Sequence, residues 1–459
     1  MFKFILMALA LSLTACTAAQ LPEGQVKTSQ GIAQGVSAEG LTAYFGIEYA
    51  RAARWKLPTD GPKWDGVKSF ESFGPACPQD GQAVMIEDCL FLNIFTPEGA
   101  SAEDNLPVMV WFHGGGFRAG EGGDGPRAFA REGMIVVTFN YRLGLLGFHD
   151  WLGWSETDPR NFGQADMVKA LEWVNENIGG FGGDADTITI SGHSAGGMGV
   201  QLMMVDPRAK GLFQRAIAHA GYGAWPFPKA ANPSDETRKV IKYRPLDLQA
   251  SPQSLVAQVP YFHLPYIGGV DLPQQPVDLF RAGKQAAVPY MAGANSYDGN
   301  GTLEGAGFNA RDFADRYAGD IMLQISYDAD IAASKEQFAA RLFGDMRYLY
   351  SSWETVRQME TVKNPGYLFY YDVSSNGLPG AAHGAQYGAL FGDEDFPMKS
   401  YYINFIKTGN PNDAGLPQWD YYGGRTLQWM IFDPAPNPVR SPLTKRMHIV
   451  EALDFPEAQ

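Results

Sequence analysis

The pentapeptide Gly192-His193-Ser194-Ala195-Gly196 fits the pattern G-x-S-x-G. A serine at its centre acts as a nucleophile only where a strand ends and a helix begins. That context is present. The preceding "TITIS" alternates β-branched and polar side chains, and the following "AGGMGVQLMMV" reads as the start of a buried helix. A serine on so sharp a turn has a strained backbone. Gly192 and Gly196 let strand and helix approach, and Ala195 offers a backbone N–H at the helix start. The bland alternative for Ser194 is a small residue where a helix packs on a sheet.

A serine nucleophile also needs donors for a developing oxyanion. "WFHGGGF", Trp111 to Phe117, ends an apolar strand in glycines, which let backbone N–H groups turn toward one point. These pieces sit in an alternating pattern. "LPVMVWFHGGG" and "MIVVTFNYRLG" read as strands, the second over Met134 to Asn140. "NFGQADMVKALEWVNENI" places Met167, Ala170, Leu171, Val174 and Ile178 at helical spacing. "LFQRAIAHAG" and "AAVPYMAGANSYDG" each lead into a further strand. Strands alternating with helices predict an α/β fold, with a mostly parallel central sheet flanked by helices on both faces. The pattern weakens after Gly221. Residues 222–275 read as excursions that cover or flank a site, and 308–360 as mainly helical. "NPGYLFYYDVSS" reads as a late strand and "FPMKSYYINFIKTG" as a helix stopped by Gly409 and Pro411.

These stretches, with "YFGIEYA", "EDCLFLNIFTP", "NYRLGLLGF" and "NFIKTGNPN", resemble the type-B carboxylesterase family of α/β-hydrolases from about residue 28 to 455. The resemblance implies an α/β-hydrolase fold and one catalytic domain over 28–459, with shortened cap excursions. It implies that Ser194 is the nucleophile and that Gly115, Gly116 and Ala195 supply the oxyanion hole. His383, in "GAAHGAQYGALFG", matches the general base. Asp298, in "GANSYDG", stands where the family usually has glutamate, and Tyr297 replaces the usual aspartate. Rival acids are Asp393 and Glu394. The order Ser194, Asp298, His383 is the order this fold requires. His113 reads as support for the glycine loop, and His193 as pointing away from the nucleophile. The implied substrate is a small-molecule ester. No cofactor is needed, and clustered Cys/His zinc spacing is absent from the sequence.

The chain departs from the family pattern in places. Gln386 replaces the glutamate of H-G-x-E, and His219 replaces the serine of Gln-Ser-Gly. His219 is either a hydrogen-bond donor near the site or a structural residue. Short spacings between the three site residues imply an open pocket for bulky or varied esters. The loop between Cys77 and Cys89 carries no aromatic residue, which argues against choline esters. Tyr222, Trp225, Phe227 and Tyr297 are pocket aromatics or lid packing. Other outcomes of the same residues are amide or lactone hydrolysis, acyl transfer, or a non-catalytic binding protein.

The 459 residues are 45% hydrophobic and 19% charged, a globular balance. A formal net charge of -14 disfavours nucleic acid and anionic lipid as partners. "MFKFILMALALSLTAC" has Lys3, a short apolar run and small residues, and reads as a secretory signal. Its end resembles a bacterial lipobox, which implies cleavage after residue 15, lipid attachment at Cys16 and a membrane-anchored, exported lipoprotein at the outer membrane, in the periplasm or at the cell surface. Residues 16–27 then read as a polar tether. Export allows Cys77 and Cys89 to pair, and the family resemblance supports a disulfide; the alternative is two free thiols. The sequence leaves the oligomeric state open.

Overall fold

The computed structural model describes residues 21–149, 159–229, 250–258, 261–364, 366–374, 377–392, 396–440 and 443–456. The signal segment, Cys16, Asp393 and Glu394 lie outside the described residues. The end of the expected tether is itself structured, since Gln25–Lys27 pairs antiparallel with Ile32–Gln34.

The central sheet has 11 strands among the described residues. In chain order they are β1 (Val36–Ala38), β2 (Leu41–Glu48), β3 (Phe91–Pro97), β4 (Leu106–Phe112), β5 (Ile135–Phe139), β6 (Gly183–His193), β7 (Arg215–His219), β8 (Tyr290–Asn295), β9 (Gly366–Tyr371), β10 (Trp429–Asp433) and β11 (Ala435–Val439). Their spatial order is β1-β2-β3-β5-β4-β6-β7-β8-β9-β10-β11. From β5 through β10 every pairing is parallel, and the strands outside that block pair antiparallel.

Strand periodicity sorts the core into two layers. Along β4, Val108, Val110 and Phe112 pack on one face, and Met109 and Trp111 on the other. The principal helices are α1 (Phe162–Asn177), α2 (Ala195–Val205), α3 (Lys335–Gly344), α4 (Tyr350–Arg357), α5 (Gln386–Phe391), α6 (Pro397–Thr408) and α7 (Leu443–Glu451). Met167, Leu171 and Val174 of α1 and Met198, Val200 and Leu202 of α2 cover the first face. Tyr401, Tyr402, Phe405 and Ile406 of α6 cover the second. Gly409 ends α6 in the left-handed region, at φ 78°, and its N–H bonds back to Phe405. Helices α1, α2 and α6 fall in the stretches that read as helical in the sequence. No strand is read in the sequence at β10 or β11; β11 tolerates its prolines because it pairs only with β10.

The excursions differ from each other. Residues 310–357 form a run of short helices leading into α4. The described part of 222–275 is mostly irregular and is tied down by polar contacts: the Asp271 carboxylate accepts the backbone N–H of Asn161 at 2.7 Å, and Asn161 Oδ1 accepts that of Tyr266 at 2.8 Å. Cys77 and Cys89 form a disulfide, both residues buried. Closing this loop contributes roughly 2–3 kcal/mol in the chain-entropy model.

One buried ion pair ties the segment after β5 to α1. The Arg142 guanidinium grips Asp166 through two 2.7 Å hydrogen bonds, and Asp166 is fully buried. The neighbouring Tyr141 hydroxyl donates to the His113 carbonyl at 2.7 Å and so braces the start of the glycine loop. Removing one partner leaves the other charge buried and unpaired. Asp166→Ala should lower unfolding free energy by about 3–5 kcal/mol in a denaturant titration. A midpoint close to wild type would show that the pair is dispensable.

Candidate active site

Strand β6 ends at His193, α2 begins at Ala195, and Ser194 alone makes the turn. Its backbone sits at φ 60° and ψ -123°, a region a non-glycine residue enters at a cost. The surroundings enforce it. The Ser194 N–H donates to the His219 carbonyl at 2.9 Å, and its carbonyl accepts from Met198 at 2.8 Å. A Cβ on Gly196 would collide with the Phe112 carbonyl, so only glycine lets α2 pass this close to β4.

The glycine loop runs beside the serine. Gly115 and Gly116 take φ values of 106° and 63°, and a side chain on Gly115 would strike the Ala119 carbonyl. His113 braces the loop, with its ring stacked on Tyr141 at 4.2 Å between centroids, as the sequence suggests. Among the described residues, no acceptor takes the backbone N–H of Gly115, Gly116 or Ala195. That of Ala195 is one of the orphan donors every helix start leaves.

Asp298 lies in the turn after β8. It is completely buried, and its Oδ1 accepts from His383 Nδ1 at 2.8 Å. Its Oδ2 accepts the Asn295 N–H at 2.6 Å. Burial pushes the carboxyl pKa up, while the bonds from His383 and Asn295 hold it down. Among the described residues the His383 ring has two ring neighbours: His193 at 4.4 Å and Tyr348 at 5.0 Å between centroids. The His193 side chain rests on the His383 ring, and it shares a 2.9 Å hydrogen bond with the Tyr387 hydroxyl.

Asn295 was not singled out by the sequence, yet it joins both halves of the Asp298–His383 pair. Its Nδ2 donates at 2.7 Å to the Ala382 carbonyl and at 2.7 Å to Gln386 Oε1. A carbonyl only accepts, so the amide nitrogen must face Ala382 and Oδ1 must face His219. His219 Nε2–H therefore donates to Asn295 at 2.9 Å, and its Nδ1 accepts from the Tyr402 hydroxyl at 3.1 Å. The departures His219 and Gln386 thus meet through Asn295. Tyr222, Trp225, Phe227 and Tyr297 are all buried. His193, Asp298 and His383 also bring ligand-type atoms within 4.8 Å of one another, but the His383–Asp298 hydrogen bond occupies the facing atoms of two of them.

A doubly covered parallel sheet, a serine on a strand-to-helix turn and an Asp–His pair on later strand-end loops define an α/β-hydrolase. The carboxylesterase family model matches residues 22–449. Para-nitrobenzyl esterase of Bacillus subtilis is 29% identical over 89% of this chain and 94% of its own. Liver carboxylesterase 1 of Oryctolagus cuniculus is 29% identical over 91% and 92%. The structure of carboxylesterase EST55 of Geobacillus stearothermophilus superposes with a TM-score of 0.78 at 26% identity, covering 93% of this chain and 99% of that one. The chain belongs to the carboxylesterase family, and it is an ester hydrolase of the serine class.

The buried histidines make stability depend on pH. Burial pushes His113 and His263 down to about 4 and His219 to about 3, from an ordinary value of 6.5. Between those values the unfolded chain binds more protons than the folded one. Stability is therefore full above pH ~6.5 and is lost as pH falls toward the folded values. Each ring should cost roughly 1–2 kcal/mol by pH ~5. Thermal midpoints recorded from pH 8 downward should decline below about 6.5; a midpoint flat to pH 5 would contradict this.

Proposed function

We propose that Ser194, His383 and Asp298 form the catalytic triad and that Gly115, Gly116 and Ala195 donate to the oxyanion. The observation that carries this is the 2.8 Å bond from His383 Nδ1 to the fully buried Asp298, in a chain whose Ser194 is held at positive φ beside the glycine loop. His383 takes the Ser194 proton as the hydroxyl attacks an ester carbonyl. The oxyanion gains hydrogen bonds from donors that the fold leaves free. His383 then protonates the leaving alcohol, and water cleaves the acyl-enzyme with the same histidine as base. Asp298 holds the ring's tautomer and stabilises its cation without taking the proton. The aspartate is shorter than the family's glutamate, and its direct bond to His383 supports its assignment to that role. The short segments between the three residues support a broad range of bulky or varied esters.

Incubation with p-nitrophenyl esters of graded acyl length tests the reading. Ser194→Ala should lose at least about 10³-fold in kcat, and Asp298→Asn should fall steeply. Equal rates in wild type and Ser194→Ala would sink the mechanism. Loss of activity in Asp393→Asn but not in Asp298→Asn would move the acid elsewhere.

We propose further that the protein is exported and anchored by a lipid on Cys16. The support is the basic, apolar and small-residue order of the first 16 positions. Cys16→Ser should release the protein from the membrane fraction; retention there would refute the anchor.

A further inference from the structure

We propose that Arg347 forms an anion subsite beside the catalytic residues, which takes a carboxylate carried by the ester substrate. The proposal rests on the ester-hydrolase reading and narrows its substrate class.

Arg347 lies in the wide turn Asp345–Leu349 that joins α3 to α4, a helix irregularity that recurs at functional sites. It is 2% exposed. Its guanidinium carbon sits 4.4 Å from the Tyr222 ring, 5.3 Å from that of Trp225, and 5.7 Å from those of Phe343 and Tyr348. Two of these rings lead straight to the site. Tyr348 lies 5.0 Å from the His383 ring, and Tyr222 lies 6.3 Å from Phe117, which directly follows the glycine loop.

Other well-covered arginines face a carboxylate: Arg142 has Asp166, Arg341 has Asp330, and Arg446 has Asp345. Among the described residues no carboxylate pairs with Arg347, and its Nε meets no acceptor. A guanidinium cannot shed its charge to escape burial. Aromatic faces offset only part of that cost. Trp225 Nε1, a further buried donor beside it, has no hydrogen-bond partner, and the Tyr222 and Tyr348 hydroxyls turn toward the guanidinium. The Arg347 charge also offsets part of the rise that burial causes in the Tyr222 and Tyr348 hydroxyls, which places both close to it.

A cation and a neutral indole donor, walled by rings and facing no carboxylate among the described residues, suit a monoanion. A carboxylate fits best, because its planar pair of oxygens matches the guanidinium fork. A phosphate dianion would keep a charge that this single cation leaves uncompensated.

The test compares kcat/KM within two pairs of esters. Monomethyl suberate against methyl octanoate places the carboxylate on the acyl side. 6-Acetoxyhexanoate against hexyl acetate places it on the alcohol side. In at least one pair, Arg347→Met should lower kcat/KM for the anionic ester about tenfold or more while the neutral ester changes less than about threefold. Arg347→Lys should keep part of the preference, since it keeps the charge but not the fork. An unchanged ratio in both pairs, or an equal fall for both members, overturns the subsite. If Arg347→Met does not fold, wild type alone decides. An anionic ester turned over at least as well as its neutral partner in one pair supports the subsite, and poorer turnover in both pairs overturns it. Failure of wild type to hydrolyse the neutral esters counts instead against the ester-hydrolase reading.

Discussion

The positive φ of Ser194 is the constraint on which the site depends. Holding a serine there costs about 1–3 kcal/mol, and the surroundings must offset it. They do so by crowding. β6 lies between β4 and β7, its turn is bonded to the end of β7, and α2 passes close over the end of β4. Glycine at 196 is the condition for that approach. The sheet order follows the same demand, because the strand bearing the nucleophile is flanked by the strand that feeds the glycine loop and by the strand that accepts the turn's N–H.

Around this turn the protein keeps its polar interior nearly neutral. Asp298 and His383 face each other directly, and the groups behind them are an amide, a buried uncharged imidazole and two tyrosine hydroxyls. The Asn295 bonds run in one direction from Tyr402 through His219 to the backbone at Ala382, so no member is left with two donors or two acceptors face to face. That arrangement makes sense of two substitutions that look unrelated in the sequence. A histidine and a glutamine, at positions where the family has serine and glutamate, both bond to the same asparagine. Arg347 breaks the pattern as a buried cation among rings, and that exception marks it out.

Much of the architecture was legible because local signals and packing agree. The strand read over Met134 to Asn140 is observed as Ile135–Phe139, buried on both faces, and the helix read in the stretch from Asn161 to Ile178 is observed as Phe162–Asn177. Gly192, Gly196 and the glycine loop were legible because close approach and positive φ demand that residue. What escaped was set by tertiary contact. Nothing local marks Asn295, whose side-chain partners lie more than 70 residues away in the chain. The place of His193 against His383 depends on a loop nearly 200 residues later. β11 was hidden by prolines that only an edge position tolerates.

The central claim is that the turn at Ser194 presents an activated nucleophile. The most direct measurement is peptide mapping by mass spectrometry after brief exposure of the mature protein to a fluorophosphonate, in wild type and in His383→Ala. The account predicts stoichiometric phosphonylation at Ser194 alone in wild type and very slow labelling in the variant, because the attack needs the histidine as base. Labelling at another serine, or equal labelling with and without His383, would contradict it.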